Sequence, residues 1–186
     1  HFGRAEKSSL GFGNIVKGIV GANIIQSLAY GIRDTADKAI QLASDLTEVQ
    51  NVIDTTFGAG ATNINQWSKD AAKAFGISEL QAKQFNGTLG AMMKSSGISS
   101  DKLVQMSTSL SGLAGDFASF YNLDSQAAFD KIRSGISGET EPLKQLGINM
   151  SVANLEAFNL TRGITKQWKA MTQAEQIQSR YNYLMT

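Results

Sequence analysis

Apolar residues recur along this chain at helical spacing. Leu103, Met106, Leu110, Leu113 and Phe117 step by three and four positions. Val49, Val52, Ile53 and Phe57 keep the same rhythm, as do Leu80, Phe85, Leu89 and Met92 with one longer step. Residues three or four apart share one face of a helix, so each run predicts an amphipathic helix with an apolar stripe. Alternation of β-branched residues bounded by turns never runs far, and no strand is expected. The punctuation between runs repeats. An apolar residue followed by Ser, Thr or Asp opens a polar–apolar run at Ile77-Ser78, Ile98-Ser99, Leu123-Asp124, Met150-Ser151, Ile164-Thr165 and Met171-Thr172. A side-chain oxygen there accepts from the free N–H groups of a first turn, and the residue before it packs onto the fourth helical position, as Ile98 would on Leu103. Ser78 with Gln81 and Thr172 with Glu175 have the spacing of a reciprocal capping box. Gly76, Gly97 and Gly163 stand just before three of these starts, where helices end on a left-handed glycine. The pattern predicts an all-α protein, an irregular multi-helix bundle of about seven or eight short capped helices. The stretches between caps do not repeat one another, which argues against a solenoid.

A different texture marks the N-terminus. Phe12–Ile32 is a Gly/Ala-rich apolar stretch that predicts one longer helix, in a segment 1–42 set apart from a helical module 43–186. It is long enough to span a bilayer, and Gly18 and Ala22 have the spacing of tightly packed membrane helices. Lys17, Asn23 and Gln26 interrupt it, although Lys17 sits near one end and can snorkel. Packing against protein, its own copies included, is the favoured reading, and transient membrane contact is the alternative. Gly13–Gly18 lacks both the Gly-Lys-Ser/Thr ending and the preceding strand of a phosphate loop.

Composition removes whole classes of chemistry. The 186 residues include no cysteine and a single histidine, at position 1, so disulfides, thiolate metal sites and histidine-based triads are excluded. Net charge is +1 and charged residues make up 18%, without a long basic or acidic run. Specific nucleic-acid binding is therefore not expected. Low charge with many Ala, Ser, Gly, Asn and Gln suits helices that meet other protein surfaces. Four aromatic residues, Phe117, Phe120, Tyr121 and Phe129, straddle one predicted helix junction and are read as a core plug, with an exposed anchor for a partner as the alternative. Trp67 and Trp168 are read the same way, although each has polar neighbours and either could sit half-exposed. With no initial Met and a last helix cut short by pattern, the chain reads as a fragment of a longer polypeptide.

The most specific stretch is Gly135-Ile136-Ser137-Gly138-Glu139-Thr140-Glu141-Pro142-Leu143-Lys144-Gln145-Leu146-Gly147-Ile148-Asn149-Met150. Physically it is a helix–loop–helix joint: Pro142 fits a first helical turn, and Glu139 and Glu141 lie where a helix N-terminus favours anions. It resembles the core region of phage tail tape measure proteins of the TP901 type. The resemblance continues, in order, through Ala43–Gly58, Phe75–Phe85, Leu110–Asn122, Met171–Gln176 and Arg180–Met185. It implies a structural protein of the virion tail lumen, made in the host cytoplasm, that sets tail length, scaffolds assembly and is ejected during genome delivery. The implied partners are tail-tube, tail-tip or baseplate and tail assembly chaperone proteins, together with self-association. Short capped helices in place of long heptads fit a folded module of such a ruler better than its extended portion. A glycosidase role for Glu139 or Glu141 would need a cleft and a raised carboxyl pKa, and glycine-flanked loop positions are solvated by default. No residue is assigned to catalysis, to a metal or to a cofactor.

Overall fold

In the computed structural model, residues 34–186 are described, with side chains from position 41 onward. The described residues form α-helices and 3₁₀ turns and no strand. The helices are α1 (Asp34–Phe57), α2 (Ala61–Phe75), α3 (Glu79–Ser95), α4 (Ser100–Tyr121), α5 (Ser125–Ser137), α6 (Glu141–Lys144), α7 (Val152–Thr161) and α8 (Gln173–Leu184). The described residues form the expected all-α multi-helix bundle, with α1 and α4 longer than the short helices expected, at 24 and 22 residues. The stretch Phe12–Ile32 and its expected long helix lie outside the described residues. Helix α1 runs unbroken through position 43, where the sequence suggested a module boundary.

Two units group separately, His1–Asn51 and Val52–Thr186. In the described part of the first, Gln41 Nε2 donates to Asp45 Oδ1 and Thr47 Oγ1 donates to the Ala43 carbonyl, both one helical turn away at 2.8 Å. The second unit holds the core. Its central helix is α4, which packs on α2, α3 and α5, while α8 packs on α5 and α7. Ile53, Ile64, Leu89, Met93, Leu110, Ile132 and Ile136 are fully buried there. The stripe on α3 is shifted by one position from its expected end: Met93 is buried and Met92 is only half-buried.

The predicted caps are largely present. Ser78–Gln81 and Thr172–Glu175 form complete capping boxes, and Asp124 and Ser151 accept from the N–H groups of Ala127 and Asn154. Ser99 stands at its N-cap position in extended conformation without a side-chain cap bond, and both Ile98 and Leu103 are buried. One dipeptide does the opposite job. Gly-Ile at 76–77, 97–98, 147–148 and 163–164 places each glycine at φ between +69° and +92°, the left-handed region open to glycine. At three of these the isoleucine N–H reaches back to a carbonyl five residues earlier: Ile98 to Met93, Ile148 to Leu143 and Ile164 to Asn159. That closes the preceding helix and delivers an apolar residue to the next junction. At the C-terminus of α1, Lys94 Nζ donates to the carbonyls of Thr55 and Thr56 at 3.0 and 2.9 Å, a cation at the negative end of a helix.

Two sequence expectations need correction. No helix starts at Ile164-Thr165. The N–H that a Thr165 cap would take, that of Trp168, donates instead to Glu156 Oε1 at 2.8 Å, and the chain stays irregular until a short 3₁₀ turn at Trp168–Ala170. The aromatic plug is also only partly formed. Phe129 is buried and stacks on Phe85, whereas Phe117 and Tyr121 are half-buried and Phe120 is 81% exposed. Successive helical residues turn by roughly 100°, so Phe120 points well away from the stripe that ends on Tyr121.

Candidate functional site

The joint at 135–150 is built as structure. Leu143 is fully buried over Gly135, where an added Cβ would lie 2.1 Å from Leu143 Cδ1. Pro142 stands in the first turn of α6, as expected, but α6 is a single turn and its Thr140 cap makes no side-chain bond. Glu139 and Glu141 are exposed, and Glu141 meets only Lys144, at 3.5 Å between two well-exposed side chains. An ion pair of that kind contributes little. Among the described residues no group of three or more His, Cys, Asp or Glu gathers to hold a metal ion.

Both tryptophans are packed. Trp67 is half-buried and stacks on Phe75 with ring centroids 5.5 Å apart. Trp168 is buried, with the Arg180 guanidinium 5.0 Å from its ring centroid. Arg180 Nη1 donates to the Ile136 carbonyl at 3.2 Å, near the C-terminus of α5. Partial burial pushes the guanidinium pKa down, and the helix-end carbonyl compensates part of the lost hydration.

A cleft of about 350 Å³ lies between the first turn of α4, the 159–171 segment and α8. Its walls include Ile98, Lys102, Ile164, Lys166, Met171 and Glu175, and its floor is polar. Asn159 and Ser179 are almost completely buried, with Ser179 Oγ donating to Asn159 Oδ1 at 2.8 Å. Beside them Gln178 Nε2 donates to Asn182 Oδ1 at 3.0 Å. Glu175 is committed to structure: it accepts from Lys166 Nζ at 2.7 and 2.9 Å and from the Thr172 N–H at 2.7 Å. Sequence reading located the Thr172–Glu175 cap but not the cleft. The one local signal was the Gln178/Asn182 spacing, a turn apart on one helix face.

The Lys166 hydrogen bonds, and after them the Thr172 N–H, hold the Glu175 carboxyl below its ordinary 4.5. Asp101 is lowered in the same sense, first by the Ser99 hydroxyl. A carboxyl whose folded pKa is depressed stabilises fully above its unfolded value and loses that contribution as pH falls through the folded one. Urea midpoints should therefore drop on acidification below the ordinary carboxylate range. Glu175→Gln keeps an acceptor for the Thr172 N–H, so it should flatten that slope while leaving the helix capped. An unchanged slope would place the acid sensitivity elsewhere.

No helix among the described residues is long and apolar enough to cross a membrane. Neither a known protein family, nor a curated protein, nor a solved structure matches the chain.

Proposed function

We propose that this chain is a folded structural module of a phage or prophage tail tape measure protein, acting through contact and without catalysis. The observation that carries the reading is the ordered sequence resemblance running from Ala43 to Met185. Three of the six resembling segments cross helix joints, at the left-handed Gly76 with the Ser78 capping box, the Gly135–Met150 corner and the Thr172 capping box, and the other three lie mainly within α1, α4 and α8. The surface supports an assembling role as well. Phe120, Leu160, Val152 and Val52 are exposed, on a chain of low charge. In this reading the module lies in the tail lumen, is assembled in the host cytoplasm, and contacts tail-tube, tail-tip or baseplate and chaperone proteins and copies of itself.

The test is an in-frame deletion of residues 43–186 in the virus or prophage that encodes the chain, with particles inspected by negative-stain electron microscopy. Heads without tails are the expected product. Infectious particles with tails of unchanged length would overturn the reading. An extended helix of the deleted 144 residues would span about 216 Å at ~1.5 Å per residue. Well-formed tails shortened by that amount would also count against a folded module, because they would mark the segment as plain ruler.

A further inference from the structure

We infer that the cleft between α4, the 159–171 segment and α8 is a binding site for an extended peptide segment carrying an apolar residue next to an acidic one. The inference concerns what the cleft recognises and stands independently of the tail reading. Its basis is the set of hydrogen-bonding groups left over there. The Gln178 and Asn182 amides are joined head to tail, which uses one donor and one acceptor. Gln178 Oε1 is buried without a partner, and the Asn182 NH₂ makes no hydrogen bond among the described residues. Across the floor, the Asn159 NH₂ has only the Met171 sulfur, at 3.9 Å, a weak acceptor. Buried polar atoms in folded proteins are nearly always paired, so an orphaned acceptor beside under-used donors marks an incomplete site.

A peptide unit offers one N–H and one C=O, the complement of an acceptor and a donor presented side by side on one helix face. The apolar part of the wall, Ile98, Ile164, Met171 and Ala174, gives an aliphatic side chain somewhere to go. Charge sets the neighbouring residue. The lining side chains hold two lysines and one glutamate, a net of one positive charge, and Glu175 already neutralises Lys166. Lys102 Nζ acts on the neighbouring Asp101 carboxyl through charge but makes no hydrogen bond among the described residues, so its N–H donors remain for a ligand carboxylate. The cleft volume lies at the lower end of ligand sites, which run from roughly 300 to 1,000 Å³. That suits a few residues of a chain passing through.

The experiment is a ¹⁵N-HSQC titration of the whole chain with the capped hexapeptide Ac-Ala-Ala-Leu-Asp-Ala-Ala-NH₂. Saturable shifts are expected in the side-chain NH₂ signals of Asn159, Gln178 and Asn182. Asn182→Ala should weaken binding by about fivefold to tenfold, the worth of one hydrogen bond. Lys102→Ala, at an exposed position that leaves the fold alone, should abolish the preference over the same peptide with Lys in place of Asp. Absence of saturable shifts would overturn the inference. So would equal shifts with sodium acetate, which would reduce the cleft to an anion site, or unchanged binding by Asn182→Ala.

Discussion

Phe129→Ala is expected to cost about 3–5 kcal/mol of folding stability, the largest effect of any single substitution considered for this chain. The Phe129 ring from α5 lies on the Phe85 ring from α3, with centroids 4.0 Å apart and planes within 3° of parallel. Both residues are almost fully buried. Alanine there removes the ring's burial and leaves a cavity that rigid neighbours cannot fill. For a domain whose total stability is on the order of 5–15 kcal/mol, much of the margin would go. The measurement is a urea titration read for its midpoint, with an unchanged slope showing that the unfolded state is the same. Phe85→Ala and the double variant complete a cycle, with an expected coupling of about 0.5–1.5 kcal/mol from the ring pair itself. A loss below ~1 kcal/mol for Phe129→Ala would mean that its ring is not packed on Phe85 as described.

The same helix junction shows where reading a sequence succeeds and where it stops. Ser78 with Gln81 and Thr172 with Glu175 were legible because a capping box is complete within four residues and needs no partner from elsewhere. The left-handed Gly76, Gly97 and Gly163 were legible for the same reason. The fate of Thr165 was not, because the deciding group is Glu156, which lies nine residues away in sequence and takes the Trp168 N–H. Phe129 and Phe120 look equivalent in a list of aromatic residues. One is buried and the other exposed because Phe120 falls off the stripe of α4, and only the register of packed helices reveals which positions that stripe includes.

The cleft was invisible for a related reason. Its floor joins Asn159 on α7 to Ser179 on α8, and its rim adds the start of α4, some sixty positions earlier in the chain. Amides and hydroxyls carry no signature of their own in a sequence, since most of them are solvated surface. They become informative once burial leaves one of them, Gln178 Oε1, without a partner. Glu139 and Glu141 run the other way. Their residue types drew attention to catalysis, and the fold leaves both in solvent around a corner whose purpose is to seat Leu143.

Gly115→Ala should be clearly damaging, at a position where composition alone suggests a gain. Gly in a helix interior costs about 0.5–1 kcal/mol relative to Ala, so replacing it would normally stabilise α4. Here a Cβ would lie 2.5 Å from the Phe75 carbonyl oxygen and 2.7 Å from Phe75 Cβ. The oxygen belongs to the backbone at the last residue of α2 and cannot rotate aside, so α2 and α4 must move apart. Overpacking of that kind costs about 1–3 kcal/mol and more where backbone is displaced, giving a net loss of about 2 kcal/mol after the propensity gain. Gly87→Ala separates this explanation from a general intolerance of helix side chains. Its Cβ would meet the Val52 Cγ1 atom at 3.1 Å, and Val52 is 44% exposed and free to turn outward. That variant should stay within about 0.5 kcal/mol of the parent. Equal losses at the two positions would show that close approach of α2 to α4 is not what Gly115 provides.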